Sequence, residues 1–496
     1  MTRRRAQVLA EDVDALAPRA RFKRALRLTA MATFVPGLAQ LTVGRRWVGV
    51  VALTGWVMGL VALVVVGWNL RDDRAALIGL AADADVLLVA RVLLAVGVLV
   101  WVGLFVDAWR LAHPRRLTRG RAVVVVALNT AILLGVGTVS AYAWQVSGVQ
   151  REVVQQVFTA EETNPPLEGR YNILLLGSDA GDNRFGLRPD SLTIVSIDAT
   201  TGATVLVSLP RNLQLVPFPE DSPMHALYPN GYDCGSECLL NAVYTEAHER
   251  TDLYPDAEDP GMEATLDAVE GATGLEITYH VMVDMDGFSD LIDAVGGVEV
   301  DVRDRIATFS QHDQWKQTYI EPGLQRLDGE DALWYARSRV QSDDFTRMGR
   351  QKCLMAAMLD QLSPQTVLLN VTDIARSSAR LISTDIPAGE LGSFADLALK
   401  ARGTQVRTVS LVPPAVNPGA PDYVLVHEMV ADAVAASEGR AGSAASPSPS
   451  PDAVAATPGT GTPTTEVPAA GGTPESPYPG QSGGAANNVD DLASAC

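Results

Sequence analysis

Residues 191–209 read SLTIVSIDATTGATVLVSL. Two runs rich in aliphatic and β-branched residues, Ser191–Asp198 and Thr204–Leu209, flank the turn Thr200-Thr201-Gly202. Such runs around a glycine-containing turn predict an antiparallel hairpin. Just upstream, Tyr171–Gly177 (YNILLLG) is a short apolar run closed by glycine, and it predicts a buried strand. Downstream, helical periodicity at Met262–Gly274, Phe288–Val295, Asp331–Arg337, Arg347–Leu362 and Ile386–Ala401 is interleaved with strand-like runs. The strands are expected at Tyr279–Val283, Val298–Val302 and Gln405–Val412, and a last helix at Tyr423–Ser437. No simple repeat orders these elements. A mixed α/β domain with a central β-sheet is therefore expected over residues 170–436.

The rest of the 496-residue chain is of a different kind. Its formal net charge is -19, yet residues 1–150 carry roughly +10 and the remainder roughly -29. The basic part is also the apolar part. Trp47–Trp68, Val86–Trp109 and Ala122–Trp144 are each long and apolar enough to span a bilayer, which takes about 20 residues. Residues 47–145 are thus read as three transmembrane helices. Arg91, inside the second span, is placed to snorkel toward the interface. Arg110, Arg115, Arg116, Arg119 and Arg121 make the loop after the second span basic, so the positive-inside rule keeps it cytoplasmic. Everything after the third span is then expected outside the cell, at the membrane's outer face. Residues 1–46 are expected to be cytoplasmic and basic. Within them, Leu28–Gly44, broken by Pro36 and Gly37, reads as an interfacial or re-entrant segment. A cleavable signal peptide is not expected, because the basic region is long and several spans follow. Residues 146–169 form a polar stalk, and residues 437–496, rich in Ala, Gly, Ser, Thr and Pro, lack the apolar residues needed to order themselves.

All four cysteines lie in the part placed outside, where disulfides are allowed. Cys234 and Cys238, in DCGSEC, suit a small disulfide-closed loop; zinc would need more ligands than His225 and His248 supply. Cys353 fits either a buried free thiol or a longer-range bridge, and Cys496 has no assignment.

Chemistry concentrates at strand ends. Gly177-Ser178-Asp179 with Arg184 follows the first strand, and Arg188-Pro189-Asp190-Ser191 opens the second. Ser208-Leu209-Pro210-Arg211 closes the third. The fourth cluster, WYARSRVQSDDFTRMGRQK at 334–352, gathers Arg337, Arg339, Arg347 and Arg350 in an otherwise acidic part of the chain. Guanidinium is a permanently charged, planar fork that fits phosphate oxygens in pairs. Arg337 and Arg339 share a face if the backbone is extended, and Arg347 and Gln351 share one if it is helical. Asp179 and Asp190 are the carboxylates that would suit a magnesium ion (Mg2+), which takes one or two carboxylates plus substrate phosphate. Each group has a plainer reading as a surface or capping residue, Asp343 and Asp344 included; their recurrence beside strand ends favours a site. An acidic domain outside the membrane is no partner for nucleic acid.

These motifs, NILLLGSD, RPDSLTIVSID, VLVSLPRN, DGFSDLIDAVGGVEVDV, GLQRLDGEDALWYARSR and DDFTRMGRQK, resemble in this order the LytR-CpsA-Psr family of cell-envelope enzymes. The resemblance covers roughly residues 170–362. It implies a phosphotransferase that moves a glycopolymer from an undecaprenyl (polyprenyl) pyrophosphate carrier to a peptidoglycan hydroxyl, with magnesium as cofactor. It also implies a hydrophobic channel for the lipid and a possible water-driven pyrophosphatase side reaction. Asp179 and Asp190 match the metal-binding aspartates. Asp190, Arg211, Arg337 and Arg339 match the catalytic set. Arg184, Arg188, Arg211, Arg337, Arg339, Arg347 and Gln351 match the pyrophosphate contacts, with Arg350 left to the surface or to a supporting role. Asn212 departs from the pattern, which has aspartate after the motif arginine; this leaves Asp190 or Asp179 as the candidate base. The alternatives are a membrane-bound transcriptional attenuator and a non-catalytic scaffold that binds polyprenyl phosphates.

Overall fold

The computed structural model describes residues 18–71, 76, 79–80, 83–158, 160, 163–178, 188–309, 317–340, 342–361, 382–439, 487 and 490–496. Two compact units emerge, Met1–Gln155 with Leu391–Ser393, and Gln156–Glu390 with Phe394–Cys496.

In the first unit, helix α1 (Pro18–Phe34) is followed by a one-turn helix α2 (Leu38–Thr42). Then come α3 (Arg46–Leu70), α4 (Ala84–Leu111) and α5 (Arg119–Val157). Three helices, Arg46–Leu70, Ala84–Leu111 and Arg119–Glu152, are long and apolar enough to cross a membrane, matching the three expected. The segment expected to be interfacial or re-entrant is a helical hairpin packed against them. Gly37 turns it with φ 93°, and any Cβ there would lie 2.6 Å from the Gly49 carbonyl. Gln40 is fully buried and donates through Nε2 to the Leu104 carbonyl at 2.8 Å. Asp107 on α4 pairs with Arg45 at 2.5 Å. Arg91 lays its guanidinium 4.2 Å from the centre of the Trp144 ring, a cation–π contact.

The second unit is built on a six-stranded mixed sheet. Strands β1 (Arg170–Ser178), β2 (Pro189–Asp198) and β3 (Thr204–Leu209) form its antiparallel centre, with the hairpin where the sequence places it. Strand β4 (Tyr279–Asp284) joins β1 in parallel, β10 (Arg407–Ser410) joins β3 in parallel, and β9 (Ile382–Thr384) edges β4. Two small ladders stand apart from it: β5 (Val298–Val302) with β8 (Gly323–Leu327), and β6 (Ile306–Phe309) with β7 (Gln317–Ile320). β5 is among the strands expected from the sequence; β6–β9, three to five residues long, are not.

Alternation along the strands separates two environments. Leu174, Leu176, Leu192, Ile194, Val205 and Val207 enter the main core. That core also receives helices α8 (Pro260–Thr273) and α13 (Tyr423–Ser437), and the region of the short helices α6 (Pro223–Leu227) and α7 (Val243–Glu249). The intervening residues Leu175, Thr193, Val281 and Val283 line a cavity instead. The cavity's other walls come from α9 (Met285–Ala294), α10 (Gly329–Arg337) and α11 (Asp344–Gln361). Helix α10 starts hard against α9: a Cβ on Gly329 would sit 2.1 Å from the Ser289 carbonyl. Asp328 caps α10 by accepting from the Asp331 amide at 2.9 Å. Helix α12 (Leu391–Ala401) begins after a 3-10 turn at Ala388–Glu390, five residues later than the start expected at Ile386.

Both cysteine pairs are bridged, Cys234 to Cys238 as expected and Cys353 to Cys496 across 143 residues. The second bridge amends the tail boundary. Residues 490–496, assigned by composition to an unordered tail, are docked, with Leu492 and Ala495 each 2% exposed. Residues 440–486 lie outside the described set.

Candidate functional site

The β1 end, the β2 start and the β3 end meet at one edge of the sheet because neighbouring strands alternate direction. A register irregularity at Gly177/Ser178 pairs Ser178 with Pro189 and leaves Asp190 as the second residue of β2. Arg211 follows Pro210 one residue beyond β3 and reaches back across the sheet to Asp190, Nη1 to Oδ1 at 2.5 Å. Its Nε lies 3.4 Å from Asp344 Oδ1 at the start of α11.

Asp344 is the hub of the cluster. Arg347 Nη2 lies 3.1 Å from Oδ1 and donates to Oδ2 at 3.2 Å. Arg339 spans both acids at longer range, 4.0 Å to Asp190 and 3.9 Å to Asp344. Two carboxylates therefore order three guanidiniums, and the excess of positive charge suits an anion. By sequence, Asp344 reads only as a surface ion-pair partner. Its place three residues before Arg347, where a helix shares one face, is the signal that was there to use.

Arg347 is 3% exposed. Burial pulls its proton affinity down, opposed by Asp344 and Asp190. Its Nε is buried with no hydrogen-bond partner among the described residues, a donor left for something else. Gln351, one turn on, donates to the Ala336 carbonyl at 3.2 Å and accepts from Ser191 Oγ at 3.4 Å. It thereby ties α11 to α10 and to β2.

The expected convergence of Arg337 and Arg339 along an extended segment is half right. Arg337 is the last residue of α10, and only from Ser338, at φ -59° and ψ 129°, does the chain open out. Arg337 lies over Trp334, 5.1 Å from the ring centre, and Trp334 meets Phe309 at 5.6 Å. What brings the two arginine groups together is Arg350. It is not a surface residue: it is 6% exposed and donates to the Ser338 carbonyl and to Ser342 Oγ. Ser338 Oγ in turn donates to the Ala307 carbonyl at 2.7 Å. Arg350 thus staples the loop between α10 and α11 onto α11. Burial lowers its pKa to about 10.

Asp190, Arg337, Arg339, Arg347 and Gln351 line one cavity of about 470 Å³, with Ser178 and Ser191 beside them. Its remaining lining is mainly apolar and includes Leu175, Val283, Phe288, Leu333, Leu354 and Met358. Arg211 braces the acids from alongside. Arg188 is exposed and is not brought to this lining. Asp179 and Arg184 lie outside the described residues. Among the described residues no group of three His, Cys, Asp or Glu side chains is placed to hold a metal.

Lys352 lies behind this cluster, 3% exposed, donating from Nζ to Thr408 Oγ1 at 3.2 Å. Burial pushes its pKa down to about 8, with Asp490 pulling the other way. The folded state binds this proton less tightly than the unfolded chain does. Its burial therefore costs stability below pH 8, and the cost disappears as pH rises to the ordinary lysine value of about 10.5. Lys352→Met is expected to be more stable than the parent at pH 7, by up to ~3 kcal/mol. The gap should close between pH 8 and 10.5, which denaturant titrations at several pH values would record. A pH-independent gap would contradict this account.

Comparison with known proteins adds the following. The LytR_cpsA_psr family model matches residues 143–435. A Bacillus subtilis (strain 168) protein named polyisoprenyl-teichoic acid–peptidoglycan teichoic acid transferase TagV is 30% identical over 44% of this chain. That match spans only half of the TagV chain's length. Biofilm regulatory protein A of Streptococcus mutans is 25% identical, over 57% of this chain and 70% of its own. Among solved structures, B. subtilis TagV aligns at TM-score 0.40 and 25% identity, covering 55% of this chain and 98% of TagV. A structure described as TagT bound to LI-WTA aligns at TM-score 0.37 and 19% identity, covering 57% of this chain and 97% of that one.

Proposed function

The chain belongs to the LytR-CpsA-Psr family, and from that premise we propose that it is a membrane-anchored glycopolymer transferase. The donor is a glycopolymer on a polyprenyl pyrophosphate carrier, the acceptor is a peptidoglycan hydroxyl, and the product is a phosphodiester. The observation that carries this reading is a single cavity that joins an arginine cluster to an apolar wall. A diphosphate with an isoprenoid tail has that same division. The guanidiniums suit the head, and about 25 cal/mol per Å² of buried apolar surface favours the tail. The transferase names of the relatives point the same way.

In this reading the acceptor oxygen attacks the phosphorus nearer the sugar, and the bond to the polyprenyl phosphate oxygen breaks. Arg211, Arg337, Arg339 and Arg347 neutralise charge that grows on the phosphoryl oxygens and on the leaving group. The acceptor's proton passes to a carboxylate. Asp190, which lines the cavity, and Asp179 are the candidates. Magnesium fits the donor chemistry of Asp190, whose carboxylate offers hard oxygen ligands at the cavity lining. Asp190, with Asp179, would hold the ion, which when bound would neutralise phosphate oxygens. The basic loop at Arg110–Arg121 keeps the spans oriented so that the α/β unit works outside the membrane.

The test is deletion of the gene, followed by measurement of glycopolymer bound to the wall and shed into the medium. Loss from the wall with release into the medium is expected. Unchanged wall-bound polymer, in a strain with no second family member expressed, would overturn the assignment.

A further inference from the structure

Helix α11 carries Arg347 and Gln351 on one face. On an adjacent face it is held by a segment that comes from far along the sequence. Cys496 is bonded to Cys353 in the middle of α11. Leu492 and Ala495 pack with Met355, Ala356 and Leu359 of α11 and with Leu206 and Val406 at the sheet. Asn487 Nδ2 donates to the Phe345 carbonyl in the first turn of α11, at 2.6 Å.

The same segment closes the edge of the main sheet. β10 is the outermost strand on its side, and Arg407 forms an antiparallel bridge with Asp491. The Thr408 amide donates to the Asp490 carbonyl at 3.0 Å, and the Leu492 amide donates to the Val406 carbonyl at 2.9 Å. An open strand edge is thereby satisfied. Lys352 of α11, whose Nζ meets Thr408, also feels the charge of Asp490. One stretch of chain is thus joined covalently to the site helix and by backbone hydrogen bonds to the sheet.

We infer that Asp490–Cys496 is a positioning brace for α11. It fixes the height and rotation of the helix on the sheet, so that Asp344 meets Arg211 and Gln351 meets Ser191. Its residues touch no substrate; they act through Arg347 and Gln351. The consequence for diphosphate binding rests on the transferase reading, whereas the mechanical role does not. A dithiol opens the brace. Its thiolate attacks the Cys496 sulfur, Cys353 leaves as a thiolate, and the second thiol of the reagent closes to a cyclic disulfide, releasing Cys496 as a thiol. Two protein thiols form and the reagent is oxidised.

The experiment uses the full chain in detergent, with farnesyl diphosphate as the probe. Three proteins are compared: the parent, the parent reduced with dithiothreitol after folding, and Cys496→Ser. Leu492→Asp serves as a second variant, breaking the packing while keeping the bond. Amide hydrogen exchange is read over 344–361 and, as an internal control, over 170–178. Faster exchange over 344–361, with 170–178 unchanged, is expected in all three altered forms. Probe affinity should fall about tenfold, equal to 1.4 kcal/mol. A general loss of stability would instead raise exchange in both segments. Should a variant fail to fold, the reduced parent still gives the answer. Parent-like exchange over 344–361 and parent-like affinity after reduction would overturn the brace. If the parent itself does not bind farnesyl diphosphate, the transferase reading fails, and exchange over 344–361 still decides the brace.

Discussion

Arg347→Ala is expected to cut glycopolymer transfer by about 10²–10³-fold, the usual loss when one preorganised donor to a developing negative charge is removed. The reason is positional. Arg347 is 3% exposed, is oriented by both oxygens of Asp344, and keeps a buried Nε donor in reserve. A guanidinium held this way needs no reorganisation when charge appears. Arg347→Lys should not restore the rate, because an ammonium cannot keep Asp344 and reach a phosphate with the same fork. Asp344→Asn is expected to give a similar loss, since it removes the shared counter-charge of Arg211, Arg339 and Arg347. The measurement is single-turnover transfer, with farnesyl diphosphate binding alongside to separate affinity from chemistry. A rate within threefold of the parent for Arg347→Ala would remove this residue from the mechanism.

The largest expected effect on stability is at Arg350, a residue that the proposed chemistry does not use. Arg350→Ala empties a buried site and strips the Ser338 carbonyl of its charged donor. A loss of about 3 kcal/mol is expected, in the range for breaking a buried charged interaction. For a unit of this size that lowers the melting temperature by roughly 6–12 °C. Activity should fall as well, because the Ser338–Ser342 loop sets Arg339 against Asp190 and Asp344. Arg350→Lys should recover little, since Ser338 and Ser342 are both contacted from the Nη2 end of the fork. Thermal unfolding of the three proteins checks this. A melting temperature within 2 °C of the parent for Arg350→Ala would show that the staple is dispensable.

The elements that were legible in the sequence are those with a long, regular period. Tyr423–Ser437 was bounded to the residue, because its apolar spacing runs unbroken from the Asp422 cap. The hairpin at 191–209 was legible because Thr200-Thr201-Gly202 is an unambiguous turn between two aliphatic runs. Strands β6 to β9 were not, because three to five residues carry too little pattern, and β9 owes its existence to pairing with β4. The same division holds within the site. Arg337, Arg339, Arg347 and Gln351 announced themselves by residue type. The organising role of Asp344 and the structural role of Arg350 were not legible, because the same acid and the same base on a solvated helix face fit the same spacing. Burial is what distinguishes them.

Residue order alone therefore pointed to the local chemistry: three apolar spans, a mixed α/β domain, a candidate disulfide at Cys234–Cys238 and a set of strand-end arginines that suit an anion. These depend on composition and on spacings of a few residues, which side-chain period and turn chemistry make readable. Which carboxylate organises the arginines, which arginine is structural, and where Cys353 and Cys496 go were decided only by the fold. The first and last depend on contacts between segments far apart in the chain, Arg211 with Asp344 across 133 positions and Cys353 with Cys496 across 143, and the second on the burial of Arg350. Packing, and not local pattern, selects such pairs: burial makes an unpaired charge costly, so the fold must place the partner that the sequence leaves unnamed.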